Sequence, residues 1–450
     1  MLLLTATLAA AVAAPPRLHD CSAPEIGRAE CGIVEVPEGD GSRRLVRLDL
    51  LVLRAIGPER AADPVFVLQG GPGQAATPQS DFYARAFAPL RTKRDIYLID
   101  MRGTGRSDSL HCAAGEAPRD FLPIAAVRAC RAALEPRVRL SAYTTRRIVA
   151  DLESIRRRFG LGPVNLYGTS YGTRVALEYM RLRPRSVRTA TLSGVVSADN
   201  DAPASYGPFA QRASERYAAL CREQPDCARA YPDPAGDLAK AQARAPAAGL
   251  DPGLFGELVR MELYTPATAG RLFGALAEAA RGDFGFWKDR ADRLGRFWSR
   301  EGVSLGMFLS VTCADFMSPG AAKAAERLGA GTFAGAYRAR QQSAACAEWP
   351  VPRTASGFHR PVRADVPVLL ISGELDPVTP PDWSAKAART LKRGRRVIIR
   401  HNGHALGAAA ACVAGMMTAM VEAGRADRID TGCADDLPPP KFSLGPVSGG

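Results

Sequence analysis

Val164–Gly172 reads Val-Asn-Leu-Tyr-Gly-Thr-Ser-Tyr-Gly, an apolar run that closes in Gly-x-Ser-x-Gly around Ser170. A strand that enters a helix through so short a turn holds the central serine in a strained, exposed backbone position. Small residues must flank it, because the two backbones pass close together. The residues that follow, Tyr171–Arg183, carry Val175, Leu177, Tyr179 and Met180 among their apolar positions and are expected to be helical. The motif therefore requires a strand–turn–helix unit and makes Ser170 a candidate nucleophile. The plainer alternative is a serine in an ordinary strand-to-helix turn.

The rest of the chain repeats that alternation. Strands are expected at Val46–Leu53, Pro64–Leu68, Asp95–Ile99, Val164–Tyr167, Thr189–Ser193, Val366–Ser372 and Arg396–Arg400. The later ones are short continuous apolar runs, the pattern of strands buried on both faces of a parallel sheet. Between two of them, Ile148, Leu152, Ile155 and Phe159 recur at helical spacing over Thr144–Gly160. The expected class is α/β: a mainly parallel central sheet flanked by helices, with its active loops at the carboxyl ends of the strands. Residues 200–358 depart from this. They are Ala-rich with little strand signal, and helices are expected at Tyr206–Cys221, Leu238–Arg244, Leu254–Leu263, Arg271–Gly282, Gly285–Arg300 and Ala321–Leu328. The expected organisation is a leader (1–14), a first core part (15–199), a helical cap (200–358), a second core part (359–435) and a flexible tail (436–450).

A serine nucleophile needs a base, and the base needs an acid to orient it. The chain has five histidines, and His401 and His404 follow the last expected strand in His-Asn-Gly-His-Ala. His404 is the better base, since Gly403 frees the turn and Ala405 leaves room; His401 reads as a polar loop residue. The acid should follow the preceding strand, where Gly373-Glu374-Leu375-Asp376-Pro377 leaves Val366–Ser372. Asp376 is preferred there, with Glu374 and Asp382 as rivals. The chain order Ser170, Asp376, His404 is that of α/β-hydrolases. An oxyanion needs backbone donors, and Gln69-Gly70-Gly71-Pro72-Gly73 after a strand supplies them. The amides of Gly71 and Tyr171 are the expected pair. A phosphate loop is set aside because no Gly-Lys-Ser/Thr follows. Asp100-Met101-Arg102-Gly103-Thr104-Gly105-Arg106-Ser107 lacks dinucleotide spacing, so Asp100 and Arg102 are read as braces of the sheet top.

Gly70–Gly73, Asp100-x-Arg102-Gly103-x-Gly105-x-Ser107, Gly168–Gly172, the Asp376 loop and Gly403-His404 together resemble the proline iminopeptidase branch of the α/β-hydrolases. The likeness is greater to its secreted tripeptidyl-aminopeptidase-like members, and Gln69 stands where proline iminopeptidases usually have His. The resemblance implies a serine peptidase that removes one residue or a tripeptide from the free N-terminus of a peptide through an acyl-enzyme, with no metal or organic cofactor. It also implies acidic side chains in the cap that hold the substrate amine. Asp315 is the first candidate for that role and Glu262 the second. A secreted esterase or lipase using the same triad is the nearest rival reading, and an inactive hydrolase fold kept for binding is a remote one. Oligomeric state is open.

A net charge of +13 comes mostly from scattered arginines, and no stretch concentrates Lys and Arg with aromatics, so nucleic-acid binding is not expected. Met1–Ala14 resembles the apolar core and small-residue cleavage site of a secretory signal, too short to span a bilayer. The ten cysteines fall into near neighbours, Cys21/Cys31, Cys112/Cys130, Cys221/Cys227, Cys313/Cys346 and Cys412/Cys433. None forms a Cys-x-x-Cys motif. Five local disulfides and a secreted or periplasmic protein without a retained membrane span are expected.

Overall fold

A computed structural model describes residues 15–112, 120–298 and 302–445. The expected leader and the last residues of the expected tail lie outside that range. Nine strands form one sheet: β1 (Leu18–Asp20), β2 (Ala29–Pro37), β3 (Leu45–Leu53), β4 (Val65–Leu68), β5 (Ile96–Ile99), β6 (Val164–Thr169), β7 (Val187–Ser193), β8 (Ala364–Gly373) and β9 (Leu391–Ile399). Their order is β1-β2-β3-β5-β4-β6-β7-β8-β9. β1, β2 and β3 run antiparallel and β3 meets β5 antiparallel, while every pairing from β5 to β9 is parallel. Seven strands match the sequence expectation within a few residues; β1 and β2 were not anticipated.

Alternate residues of the central strands enter opposite cores. Phe66 and Leu68 of β4 pack with Ile148, Leu152, Val175 and Leu177 of the helices Thr145–Arg158 and Tyr171–Leu182. Val65 and Val67 pack on the other face with Phe87, Val413, Met417 and Met420. All four β4 residues are fully buried, each contributing about 1.5–3 kcal/mol. Such a strand must be apolar throughout, which is why it reads as a continuous run.

Between β7 and β8 the chain is helical. The helices at Tyr206–Arg222, Pro234–Arg244, Pro252–Glu262, Leu272–Arg281, Gly285–Phe297 and Ala321–Gly329 answer to those expected. Leu305–Val311, running into a widened π turn at Thr312–Phe316, and Tyr337–Ala347 were not expected. Asp251 caps the helix Pro252–Glu262 by accepting from the Gly253 and Leu254 amides at 2.8 and 2.9 Å, ahead of a proline in the first turn.

The expected flexible tail is corrected over its described part. The Leu437 carbonyl lies 2.8 Å from Nδ1 of the His401 ring. Further on, the Pro440 carbonyl accepts from Gln224 at 3.0 Å and the Ser443 carbonyl from the Tyr231 hydroxyl at 2.6 Å. Phe442 stacks on Phe273 at 5.4 Å. Residues 437–443 are a strap laid from the sheet edge onto the helices, because an apolar ring and satisfied carbonyls outweigh the freedom that Pro and Gly composition suggested.

All five cysteine pairs lie at bonding distance as expected: Cys21–Cys31, Cys112–Cys130, Cys221–Cys227, Cys313–Cys346 and Cys412–Cys433. Among the described residues no helix is long and apolar enough to cross a membrane.

Candidate active site

β6 ends at Thr169 and the next helix starts at Tyr171, leaving Ser170 alone in the turn at φ 52°, ψ −122°. A non-glycine residue there is strained. Its neighbours show why glycine flanks it. A Cβ on Gly172 would stand 1.9 Å from the Leu68 carbonyl oxygen, and one on Gly168 2.7 Å from that of Gly172. The Ser170 amide donates to the Ser193 carbonyl of β7 at 2.9 Å, and Thr173 Oγ1 donates to the Ser170 carbonyl at 2.6 Å. The turn is thereby fixed from both sides.

His404 Nε2 lies 3.0 Å from Ser170 Oγ, and its Nδ1 lies 2.8 Å from Asp376 Oδ2. The His404 amide donates to the Tyr264 carbonyl at 2.7 Å, and the Tyr264 ring meets the imidazole edge-on at 5.3 Å. Gly403 allows that approach, since a Cβ there would stand 2.4 Å from the same carbonyl. Asp376 follows β8 and is buried; its Oδ1 accepts from the Val378 and Thr379 amides at 2.7 and 2.8 Å, and its Oδ2 from Thr379 Oγ1 at 2.7 Å. Burial raises the carboxyl's pKa, but the adjoining His404 and these hydrogen bonds outweigh it and hold Asp376 below the ordinary 3.8.

The rivals stand elsewhere. Glu374 pairs with Arg216 and accepts from the His401 amide at 3.1 Å, Asp382 pairs with Arg212 at 2.8 Å, and His401 faces Leu437. The Gly70 amide is taken by its neighbour's side chain, Gln69 Oε1, at 3.0 Å. Neither the Gly71 nor the Tyr171 amide enters the backbone hydrogen bonds of the surrounding turns. Gly71 holds φ 104°, a conformation that favours glycine.

Asp100 and Arg102 are placed as braces. Asp100 accepts from the Ala76 and Thr77 amides and Thr77 Oγ1, each at 2.9 Å, so it anchors the end of the glycine loop. Arg102 grips both oxygens of Asp151 at 2.7 and 2.6 Å and donates to the carbonyls of Glu38, Ala142 and Pro37.

Ser170, His404, Gly71 and Tyr171 line a cavity of about 410 Å³ roofed by the helices between β7 and β8. Its walls are largely apolar, with Phe82, Phe308, Phe316, Val196 and Trp383 among them. Asp315 and Glu262 are not among the lining residues, which corrects the expected amine anchors. Asp315 is buried, with Oδ2 accepting from the Thr145 amide at 2.9 Å and Thr145 Oγ1 at 2.6 Å, and Oδ1 bonded to Thr354. Burial pushes its pKa up. The π turn that carries it points Thr312 and Phe316 at the cavity instead. Glu262 is likewise buried, paired to Arg290 at 2.7 Å.

The sequence reading missed the charged residues that do reach the cavity, Arg260 and Arg338, and with them Gln342. Arg338 and Gln342 are four apart on Tyr337–Ala347, a helix whose weak amphipathic pattern gave no signal. Thr379 was also missed: it bonds Asp376 and stands 3.1 Å from His404 Nδ1.

A profile of the alpha/beta hydrolase fold matches residues 63–407. A protein named probable proline iminopeptidase from Streptomyces coelicolor is 32% identical over 137 residues, 30% of this chain and 34% of its own. A proline iminopeptidase from Neisseria gonorrhoeae is 30% identical over 132 residues, 29% of this chain and 32% of its own. The aligned part thus spans about a third of the length of these relatives. A solved proline iminopeptidase from Mycobacterium smegmatis superposes with a TM-score of 0.43 and 16% identity, covering 87% of this chain and 99% of its own. With the profile spanning well over half of a chain that has this sheet order and serine turn, the protein belongs to the alpha/beta hydrolase fold family.

Proposed function

We propose that the protein is a serine hydrolase that cleaves peptides near their N-terminus by way of an acyl-enzyme. The observation that carries this is the run of contacts from Asp376 through His404 to Ser170 at the floor of a roofed cavity. His404 Nε2 takes the Ser170 proton as Oγ attacks the scissile carbonyl. Asp376 fixes the imidazole with Nδ1–H toward itself and stabilises the imidazolium. The developing oxyanion is held by the Gly71 and Tyr171 amides, which make no backbone hydrogen bond in the surrounding turns. His404 then returns the proton to the leaving amine, and water releases the acyl group by the same steps in reverse order. Residues 200–358 act as the cap that excludes bulk water. The names of the relatives favour a peptide substrate, and the five disulfides favour an exported protein.

An esterase is the second reading, and one observation favours it. Among the described residues no carboxylate lines the cavity to hold a free α-amine. A screen of aminoacyl and tripeptidyl amides against short-chain esters separates the two. In either case Ser170→Ala should lower turnover by about 10⁶-fold and abolish labelling by a fluorophosphonate, with an unchanged melting profile. Retained labelling at another residue would refute the triad.

A further inference from the structure

Among the described residues, the cationic side chains lining the cavity belong to two arginines. Arg260 and Arg338 line it, and both lean on one carboxylate, Glu257. Arg260 donates from Nε and Nη2 to the two Glu257 oxygens at 2.9 and 2.6 Å, and from Nη1 to the Tyr264 hydroxyl at 3.2 Å. Arg338 donates from Nη1 to Glu257 Oε1 at 2.6 Å. Glu257 and Arg260 are each 2% exposed. Two cations thus share one anion where water is scarce, and a buried charge without its counterion costs several kcal/mol.

Arg338 spends Nη1 on Glu257 and keeps donors to spare. Its Nε is buried without a hydrogen-bond partner, and its guanidinium carbon lies over the Phe121 ring, 3.5 Å from the centroid. One helical turn on, Gln342 is 4% exposed, lines the same cavity, and has Oε1 buried without a partner. A half-turn of that amide, which leaves its shape unchanged, offers two more donors to the same space. A guanidinium with free parallel N–H groups suits a carboxylate in bidentate geometry. An ammonium group placed here would meet an excess of its own sign.

We infer that the Arg260–Arg338–Gln342 wall is a carboxylate pocket, so that the enzyme takes substrates joining an apolar body to an anionic group. This rests on the cavity being the substrate chamber of the proposed hydrolase and names the class of substrate it admits. The carboxylate would complete a balanced set of two guanidiniums and two anions, while the aromatic wall holds the apolar part.

Calorimetric titration of the native protein at neutral pH with 4-phenylbutyrate, 4-phenylbutanamide and 4-phenylbutylamine tests this without turnover. The acid should bind about tenfold or more tightly than the amide, and the amine least well. Arg338→Leu should bring the acid-to-amide ratio near one; Arg338→Gln serves if the leucine variant does not fold. Equal binding of acid and amide, preference for the amine, binding of none, or a preference that survives both variants overturns the inference. Ala-Ala-Glu amide and Ala-Ala-Gln with a free C-terminus, each against Ala-Ala-Gln amide, then tell a side-chain carboxylate from a terminal one. A gain for either supports the pocket and a gain for neither overturns it. Fluorophosphonate labelling of Ser170, run separately, reports on the hydrolase reading alone, so the two failures are distinguishable.

Discussion

Single residues decide the chemistry, and Asp376 shows how much one carboxylate is asked to do. It accepts three hydrogen bonds besides that of His404, and its pKa is held below 3.8 although burial alone would raise it. A carboxyl depressed in the folded state contributes stability above its unfolded pKa and loses it as pH falls through the folded value. Asp376→Asn should therefore be less stable than the native protein at neutral pH. The gap should shrink as the medium is acidified below 3.8, as read by denaturant melts across pH. The same change should cut turnover by about 10⁴-fold, because the amide leaves His404 in the wrong tautomer. That Asp376, His404 and Ser170 would meet was legible because strand ends, chain order and a glycine beside the histidine constrain their placement. The amine anchors were not. Asp315 and Glu262 were chosen by their neighbourhood in the chain, and sequence cannot say which side of a helix faces the cavity when both sides are buried.

Elements carry the site through backbone contact. The helix Tyr171–Leu182 crosses β4 at Gly172, where a methyl group would stand 1.9 Å from the Leu68 carbonyl oxygen. Gly172→Ala should thus force the helix off the sheet, costing about 1–3 kcal/mol in a chemical melt and slowing Ser170 labelling by moving the turn. A normal melt and normal labelling would mean that the crossing is looser than described. The central strands were readable because burial on both faces makes them apolar throughout. β2 was not, because its burial alternates from Ile33 to Pro37 and breaks the apolar run with Glu35. The helix carrying Arg338 and Gln342 was missed for a related reason: its buried face includes charged and amide groups that pattern reading assigns to solvent.

At the scale of the whole molecule, the disulfides bear on where the protein works. Reduction should raise the intact mass by about 10 Da, two hydrogens for each of the five bridges; a smaller change would remove bridges from the account. Their placement was legible because each joins cysteines close in sequence. The strap at 437–443 was not, since nothing in a proline-rich end announces the surface it will lie on.

That strap and those bridges meet in one consequence. Each disulfide stays within the sheet body or within the helical roof, and none crosses from one to the other. Oxidation therefore hardens two shells separately and leaves their seam, where the cavity sits, unsoldered. The strap's Phe442 and its carbonyls act there as a latch that redox chemistry does not touch.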